Sequence, residues 1–296
     1  MRLFCAFLMV IVSFWQPLRA SALGDEIYKS VHWDPAQLAS GSPCLLTVEF
    51  QSPPASFQGE WFGHQVSFFP SRSRTVWYAL AGVDVETTAG TYKLTLHATM
   101  PDGKSVDATR DITIASAHYK QVELHVAENF VEPDAAALKR IAEDSEIKHQ
   151  AFAKSAPEPL WRGGFLLPVQ SPATDSFGTR RLFNGKLASI HRGMDFRAAS
   201  GTAVHAANSG RVILARSLFY EGNCVVIDHG QQFMTIYMHL SKIKVSEGQN
   251  VHAYQLLGLS GSTGRATGPH LHFAVRWQSA YLDPAILFKM KLPPTP

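Results

Sequence analysis

The chain has little cysteine, little net charge and few long apolar runs. Three cysteines in 296 residues exclude a disulfide-built scaffold and a cysteine-rich structural zinc site. Cys44 and Cys224 lie in different halves and have no His and Asn or Asp pattern beside them, so buried free thiols are expected. The formal charge is only +3, from 27 Lys and Arg against 24 Asp and Glu, which leaves no nucleic-acid footprint. Beyond the N-terminus no apolar stretch approaches the roughly 20 residues that cross a bilayer. No low-complexity tract or simple internal repeat is present, and no histidine is followed by glutamate. H-E-x-x-H, with its glutamate general base, is therefore absent.

What is there begins with a leader. Met1-Arg2 is basic, Leu3 to Trp15 is free of charge, and Ala20-Ser21-Ala22 offers a small-x-small cleavage site. This is the three-part pattern of a signal peptide over 1–22. The stretch from Leu3 to Trp15 is thirteen residues, shorter than a membrane span. The mature chain is expected to be exported, without an integral membrane segment, and near charge balance once Arg2 and Arg19 are lost.

The composition, 46% hydrophobic and 17% charged, is globular and long enough for two cores. Residues 23–118 read as short strands: Cys44 to Phe50, Glu60 to Phe69, Arg74 to Leu80, an alternating strand through Tyr92 to Met100, and a return from Val106 to Ile114 after the Pro101-Asp102-Gly103-Lys104 turn. They predict an immunoglobulin-like β-sandwich, with Trp61, Phe62, Phe68 and Phe69 as core. Residues 119–159 read as a linker with one helix, Pro133 to about Lys154, Pro133 being its first residue. Residues 160–296 return to β pattern with glycine turns. The fold class expected is mainly β: a sandwich, a helical linker and a β-rich C-terminal domain.

Seven of the thirteen histidines fall between 191 and 272. Four have a chemical context: His191 with Asp195 in H-x-x-x-D, His270 and His272 in H-x-H, and His239 in Tyr237-Met238-His239. On a strand, i and i+2 project to one face. Thr235, Tyr237 and His239 are expected to face a groove and Ile236, Met238 and Leu240 a core; Leu271, Phe273 and Val275 face the core opposite His270 and His272. Gly193 and the Asn184-Gly185 loop argue that His191 and Asp195 meet at a bend into a strand rather than on a helix. Two neutral imidazoles and a carboxylate suit zinc, and three protein ligands leave a fourth position open, the catalytic pattern. With the glutamate base missing, a histidine replaces it; His270 and His239 are the candidates. Tyr237 is as readily a packed phenol as an oxyanion donor, and Arg181 and Asn184 as readily hold loops as line the groove. His205, His229 and His252 are expected at turns or on the surface. Gly261 to Gly268 lacks the GK[ST] of a phosphate loop and precedes a strand, so it reads as a turn that aims His270 and His272.

These blocks, taken in order, resemble the lysostaphin-type (LytM-like) zinc peptidases of family M23 over about 160 to 285. They are Ser176-Phe177-Gly178-Thr179-Arg180-Arg181, the H-x-x-x-D, Gly201-Thr202-Ala203-Val204, Asp228-His229-Gly230, Tyr237 to Ser241, and Gly264 to Phe273. The resemblance implies one Zn2+ per chain on His191, Asp195 and His272, with His270 and His239 acting on water and transition state. It implies a metalloendopeptidase that cuts peptide stems of peptidoglycan, at D-alanyl cross-links, in the periplasm or cell wall. Alternatives within the same resemblance are a glycyl-glycine endopeptidase and a non-catalytic activator of a wall amidase. A divisome protein or an amidase is the protein partner it offers.

Overall fold

The computed structural model describes residues 27–124, 134–183 and 186–295. The expected leader, Pro133 and the Asn184-Gly185 loop lie outside the described residues.

The N-terminal half holds β1 (Tyr28–Asp34), β2 (Leu38–Ala39), β3 (Pro43–Phe50), β4 (Ser56–Trp61), β5 (His64–Ser67), β6 (Phe69–Pro70), β7 (Val76–Gly82), β8 (Gly90–Thr99) and β9 (Ser105–Ala115). They form two sheets, β1-β3-β7-β6 and β2-β9-β8-β4-β5. Alternation drives them together: Leu94, Leu96 and Ala98 of β8 are buried between half-exposed neighbours, so one face must be covered. Phe57 of β4 supplies the cover, edge-on to Phe50 of β3 at 4.9 Å and to Trp77 of β7 at 5.8 Å. Each such buried side chain contributes roughly 1.5–3 kcal/mol. The span expected as one strand, Glu60 to Phe69, is a hairpin instead. Phe62 and Gly63 both take positive φ, 52° and 73°, and a two-residue turn of that kind reverses the chain between Trp61 and His64. Trp61, Phe68 and Phe69 are buried.

The second half holds β10 (Gln121–Leu124), α1 (Ala135–Phe152), β11 (Ala173–Asp175), β12 (Arg180–Phe183), β13 (Lys186–Ile190), β14 (Met194–Arg197), β15 (Ala203–His205), β16 (Gly210–Leu218), β17 (Gly222–Asp228) and β18 (Phe233–Leu240). There follow β19 (Lys242–Ile243), β20 (Asn250–Val251), β21 (Leu256–Leu259), β22 (His270–Trp277), β23 (Ala280–Leu282) and α2 (Pro284–Leu287). The large sheet runs β11-β14-β22-β18-β17-β16-β20, with β23 paired to β22. The segment expected to be a linker contributes structure of its own. β10 pairs in parallel with β12, and α1 is capped by Asp134, whose carboxylate accepts the N–H of Ala137 at 2.8 Å.

The two faces of the large sheet differ. One carries Leu271, Phe273 and Val275 of β22, Tyr237 of β18 and Val225 and Ile227 of β17, all within the main core. The other carries His270, His272, Ala274 and Arg276 of β22. Opposite them on β18, Met238 pairs with His272 and Ile236 with Ala274. Helix α1 covers the Ala274 end of this face. Its Ala151, Ile147 and Phe152 close a small apolar cluster with Cys224, Val226, Met234, Ile236 and Ala274, and Phe152 stacks under the Arg276 guanidinium at 4.1 Å. The His270 end is left uncovered by this cluster.

This corrects the expected facing of β18. Tyr237 and Thr235 are wholly buried on the face of Phe273, and Ile236 and Met238 take the histidine face. Tyr237 is therefore a packed phenol, accepting the N–H of Ala207 at 2.7 Å. His229, expected at a turn or surface, is also wholly buried. Its Nδ1 donates to the Ser209 carbonyl at 2.7 Å, and its Nε2 lies 2.8 Å from the Thr235 hydroxyl. Burial without charge compensation pushes its pKa down to about 4.

The two halves share one continuous core. Phe69 meets Trp161 at 5.4 Å, Asp84 accepts the N–H of Tyr281 at 2.8 Å, and Gly41 accepts that of Asp283 at 2.7 Å. Tyr119 is wedged between Gly41 and Gly178, where an added Cβ would collide with its ring or hydroxyl.

Candidate metal centre

Two strand ends bring the first three residues together. β14 pairs with β22 so that Asp195 faces His272, and cross-strand partners share a face. His191 arrives just after β13, where its N–H donates to the Thr179 carbonyl at 2.9 Å and its carbonyl accepts from Gly178 at 2.8 Å. The expectation of a bend rather than a helix between His191 and Asp195 matches this geometry. Gly193 in that bend has to be glycine, because an added Cβ would lie 2.5 Å from His272 Nε2 and 2.7 Å from the Phe273 carbonyl oxygen.

Three lone-pair atoms converge. His191 Nε2 lies 3.2 Å from Asp195 Oδ1 and 3.1 Å from His272 Nδ1, and His272 Nδ1 lies 2.9 Å from Asp195 Oδ1. Bonds of 2.0–2.1 Å at a tetrahedral angle would separate ligand atoms by about 3.3 Å, so the triangle fits one small divalent ion. Second contacts fix the tautomer. His191 Nδ1 donates to the Ser176 carbonyl at 2.9 Å, which leaves Nε2 unprotonated and aimed inward. Asp175 stands behind it, 3.5 Å from the same Nδ1, and is itself paired with Arg181 at 3.1 Å. Burial alone would raise the Asp195 carboxyl, but its contacts with His191 and His272 outweigh it and hold the group well below the usual carboxylate range. Burial lowers the pKa of His272. It also opposes charge on His191, where the bond and charge of Asp195 prevail and raise the value.

The other two histidines stand beside the triangle. His270 Nδ1 donates to the Gly268 carbonyl at 2.8 Å, leaving Nε2 as the acceptor, 3.8 Å from Asp195 Oδ1. His239 Nδ1 donates to the Thr263 carbonyl at 2.9 Å, and its ring lies 4.8 Å from that of His270. Burial, with the neighbouring histidines, pushes its pKa down to about 4.

His239 reaches this face through a local break in the strand. Simple alternation from Met238 would send it to the core beside Tyr237. Instead the register slips by one between Asn223 and Val225 of β17, and His239 takes φ 62°. This β-bulge turns an extra residue back toward the groove. All five candidate residues thus converge, whereas Tyr237, His205, His229 and His252 are outside the cluster. Sequence reasoning missed the partners that orient them. The carbonyls of Ser176, Thr263 and Gly268 have no side-chain signature, and Asp175 sits just outside the motif blocks.

Residues 189–284 match the family model described as Peptidase family M23. The peptidoglycan DD-endopeptidase ShyA of Vibrio cholerae is 48% identical over 125 residues, which is 42% of this chain and 27% of that protein. The DD-carboxypeptidase/endopeptidase Mpg of Neisseria meningitidis is 39% identical over 125 residues, 42% of this chain and 29% of that protein. The chain thus spans under a third of the length of these curated relatives. A crystal structure from Pseudomonas aeruginosa described as an M23 peptidase superposes over 85% of this chain and 95% of its own, with TM-score 0.65 and 27% identity. That likeness extends the match beyond the family segment to the N-terminal sheets. The converging triangle of His191, Asp195 and His272 falls within the segment, residues 189–284, that matches peptidase family M23.

Proposed function

We propose that the chain is a zinc-dependent endopeptidase that hydrolyses peptide cross-links of bacterial peptidoglycan, at D-alanyl bonds. The observation that carries this reading is the ligand triangle with two imidazoles beside it, each with Nδ1 committed to a backbone carbonyl. The names peptidoglycan DD-endopeptidase for ShyA and DD-carboxypeptidase/endopeptidase for Mpg support the substrate class. His191, Asp195 and His272 hold the ion, one per chain. Zinc bound there supplies Lewis acidity toward the scissile carbonyl and toward water. His270, with Nδ1 committed to Gly268, presents Nε2 to take a proton from the attacking water and pass it to the leaving amine. His239 is neutral above about pH 4, and its Nδ1 is committed to Thr263. Its Nε2 therefore accepts a hydrogen bond and orients water, and has no proton to offer an oxyanion until one is transferred.

The domain division that goes with this reading is a leader at 1–22, sheets at 23–118, a connecting segment at 119–159 and the peptidase at 160–296. The site of action is the periplasm or wall; among the described residues no helix is long and apolar enough to cross a membrane.

Digestion of purified sacculi with the zinc-loaded protein, followed by mass analysis of the fragments, tests the reading. Cross-linked dimers should fall to monomers cut at the D-alanyl bond. Intact cross-links, with stimulation of an added amidase, would favour an activator instead.

A further inference from the structure

The loop from Gly261 to His270 holds both proton-handling histidines. Its Thr263 carbonyl takes His239 Nδ1, and its ends, Gly261 and Gly268, bond the N–H and Nδ1 of His270. Arg265 stands in the middle of this loop and is exposed. Its N–H donates to the Tyr220 carbonyl at 2.9 Å, and its guanidinium lies over the Tyr220 ring, 4.3 Å from the centroid. Gly264 and Gly222 interlock beneath it, so that a Cβ on either would collide with the other strand of the clasp. Arg265 is thus anchored rigidly to the turn that positions His239, whose N–H bonds Glu221 at 2.9 Å.

Three other arginines of this half have acidic partners: Arg181 pairs with Asp175, Arg192 with Glu86 and Arg216 with Glu247. Among the described residues no carboxylate comes within ion-pair distance of Arg265. The acid next to Tyr220, Glu221, is taken by Lys148 of α1. Stacking on an aromatic ring restrains a guanidinium while leaving its planar fork of donors free.

We propose that Arg265 is a carboxylate-binding subsite on the loop that holds His239 and His270. It would grip a free carboxylate of the substrate peptide near the scissile amide, so that acidic stems are selected over amidated ones. This deepens the proposed function and rests on it. A planar fork matches a carboxylate bidentately, and a charge-assisted bond of this kind changes affinity by about tenfold.

The test uses two synthetic cross-linked peptides that differ only in a carboxylate or carboxamide beside the scissile bond. With zinc-loaded wild type, kcat/KM should favour the acid about tenfold, mainly through KM. In Arg265→Ala the acid-to-amide ratio should fall toward one with zinc content unchanged, and Arg265→Lys should restore part of it. Equal losses on both peptides, or no preference in the wild type, would overturn the subsite. If the wild type cleaves neither peptide, the proposed function fails. Calorimetric binding of the same pair then decides the subsite separately: an acid preference abolished by Arg265→Ala supports it, and equal binding refutes it.

Discussion

One face of one sheet is put to two uses. Along β22, His270, His272, Ala274 and Arg276 all point the same way. At the Ala274 end α1 covers the strands, and an apolar layer of Cys224, Val226, Met234 and Ile236 is sealed beneath it. At the His270 end the same pleat carries imidazoles that converge on one point. Backbone geometry is nearly constant between the two ends. The difference lies in side-chain type and cover, so the helix marks where structure stops and chemistry starts.

Removing a ligand should break the chemical end most severely. His272→Ala should abolish zinc retention and lower turnover roughly a thousandfold or more, since a Lewis acid contributes several kcal/mol; metal analysis beside sacculus digestion checks it. His270→Ala should keep the metal and lose about 10²–10⁴ in turnover, the range of general acid–base catalysis. Equal zinc loss in both variants would erase the distinction between ligand and base. At the covered end the expected signs reverse. Ile236→Ala should cost about 2–4 kcal/mol in denaturant unfolding and leave zinc affinity intact; a matching loss of metal would mean the two ends are not separable.

The opposite face offers the finest contrast, a dry imidazole against the open ones. Native His229 binds a proton only near pH 4, whereas an unfolded histidine does so near about 6.5. Between these values the unfolded chain holds more protons. Stability from His229 is therefore complete above about pH 6.5 and is lost as pH falls toward 4, by about 3 kcal/mol. His229→Gln should flatten that part of the stability profile.

Much of this was legible in the sequence, for reasons that differ by residue. His270 and His272 could be assigned a common face because a period of two is a property of any strand. The helix was legible from composition, although its cap is Asp134. The hairpin at Phe62-Gly63 was hidden because a positive φ on phenylalanine has no compositional mark. His239 lies beside the other histidines, but not by the route its sequence suggested. Alternation was expected to bring it to the groove together with Tyr237, yet the two residues part at a bulge set by pairing with β17, a long-range event. The docking of the N-terminal sheets was equally hidden, since Tyr119 packs against Gly41 and Gly178, both far from it in the sequence.

The left-handed backbone at His239 sets a limit on how this protein can be improved. Among L residues histidine tolerates that region better than most, but glycine tolerates it best. A stability-guided redesign would therefore be drawn to glycine at 239, and in relaxing the chain it would delete the imidazole the bulge exists to present. Thermostability screens and activity screens should pull position 239 in opposite directions.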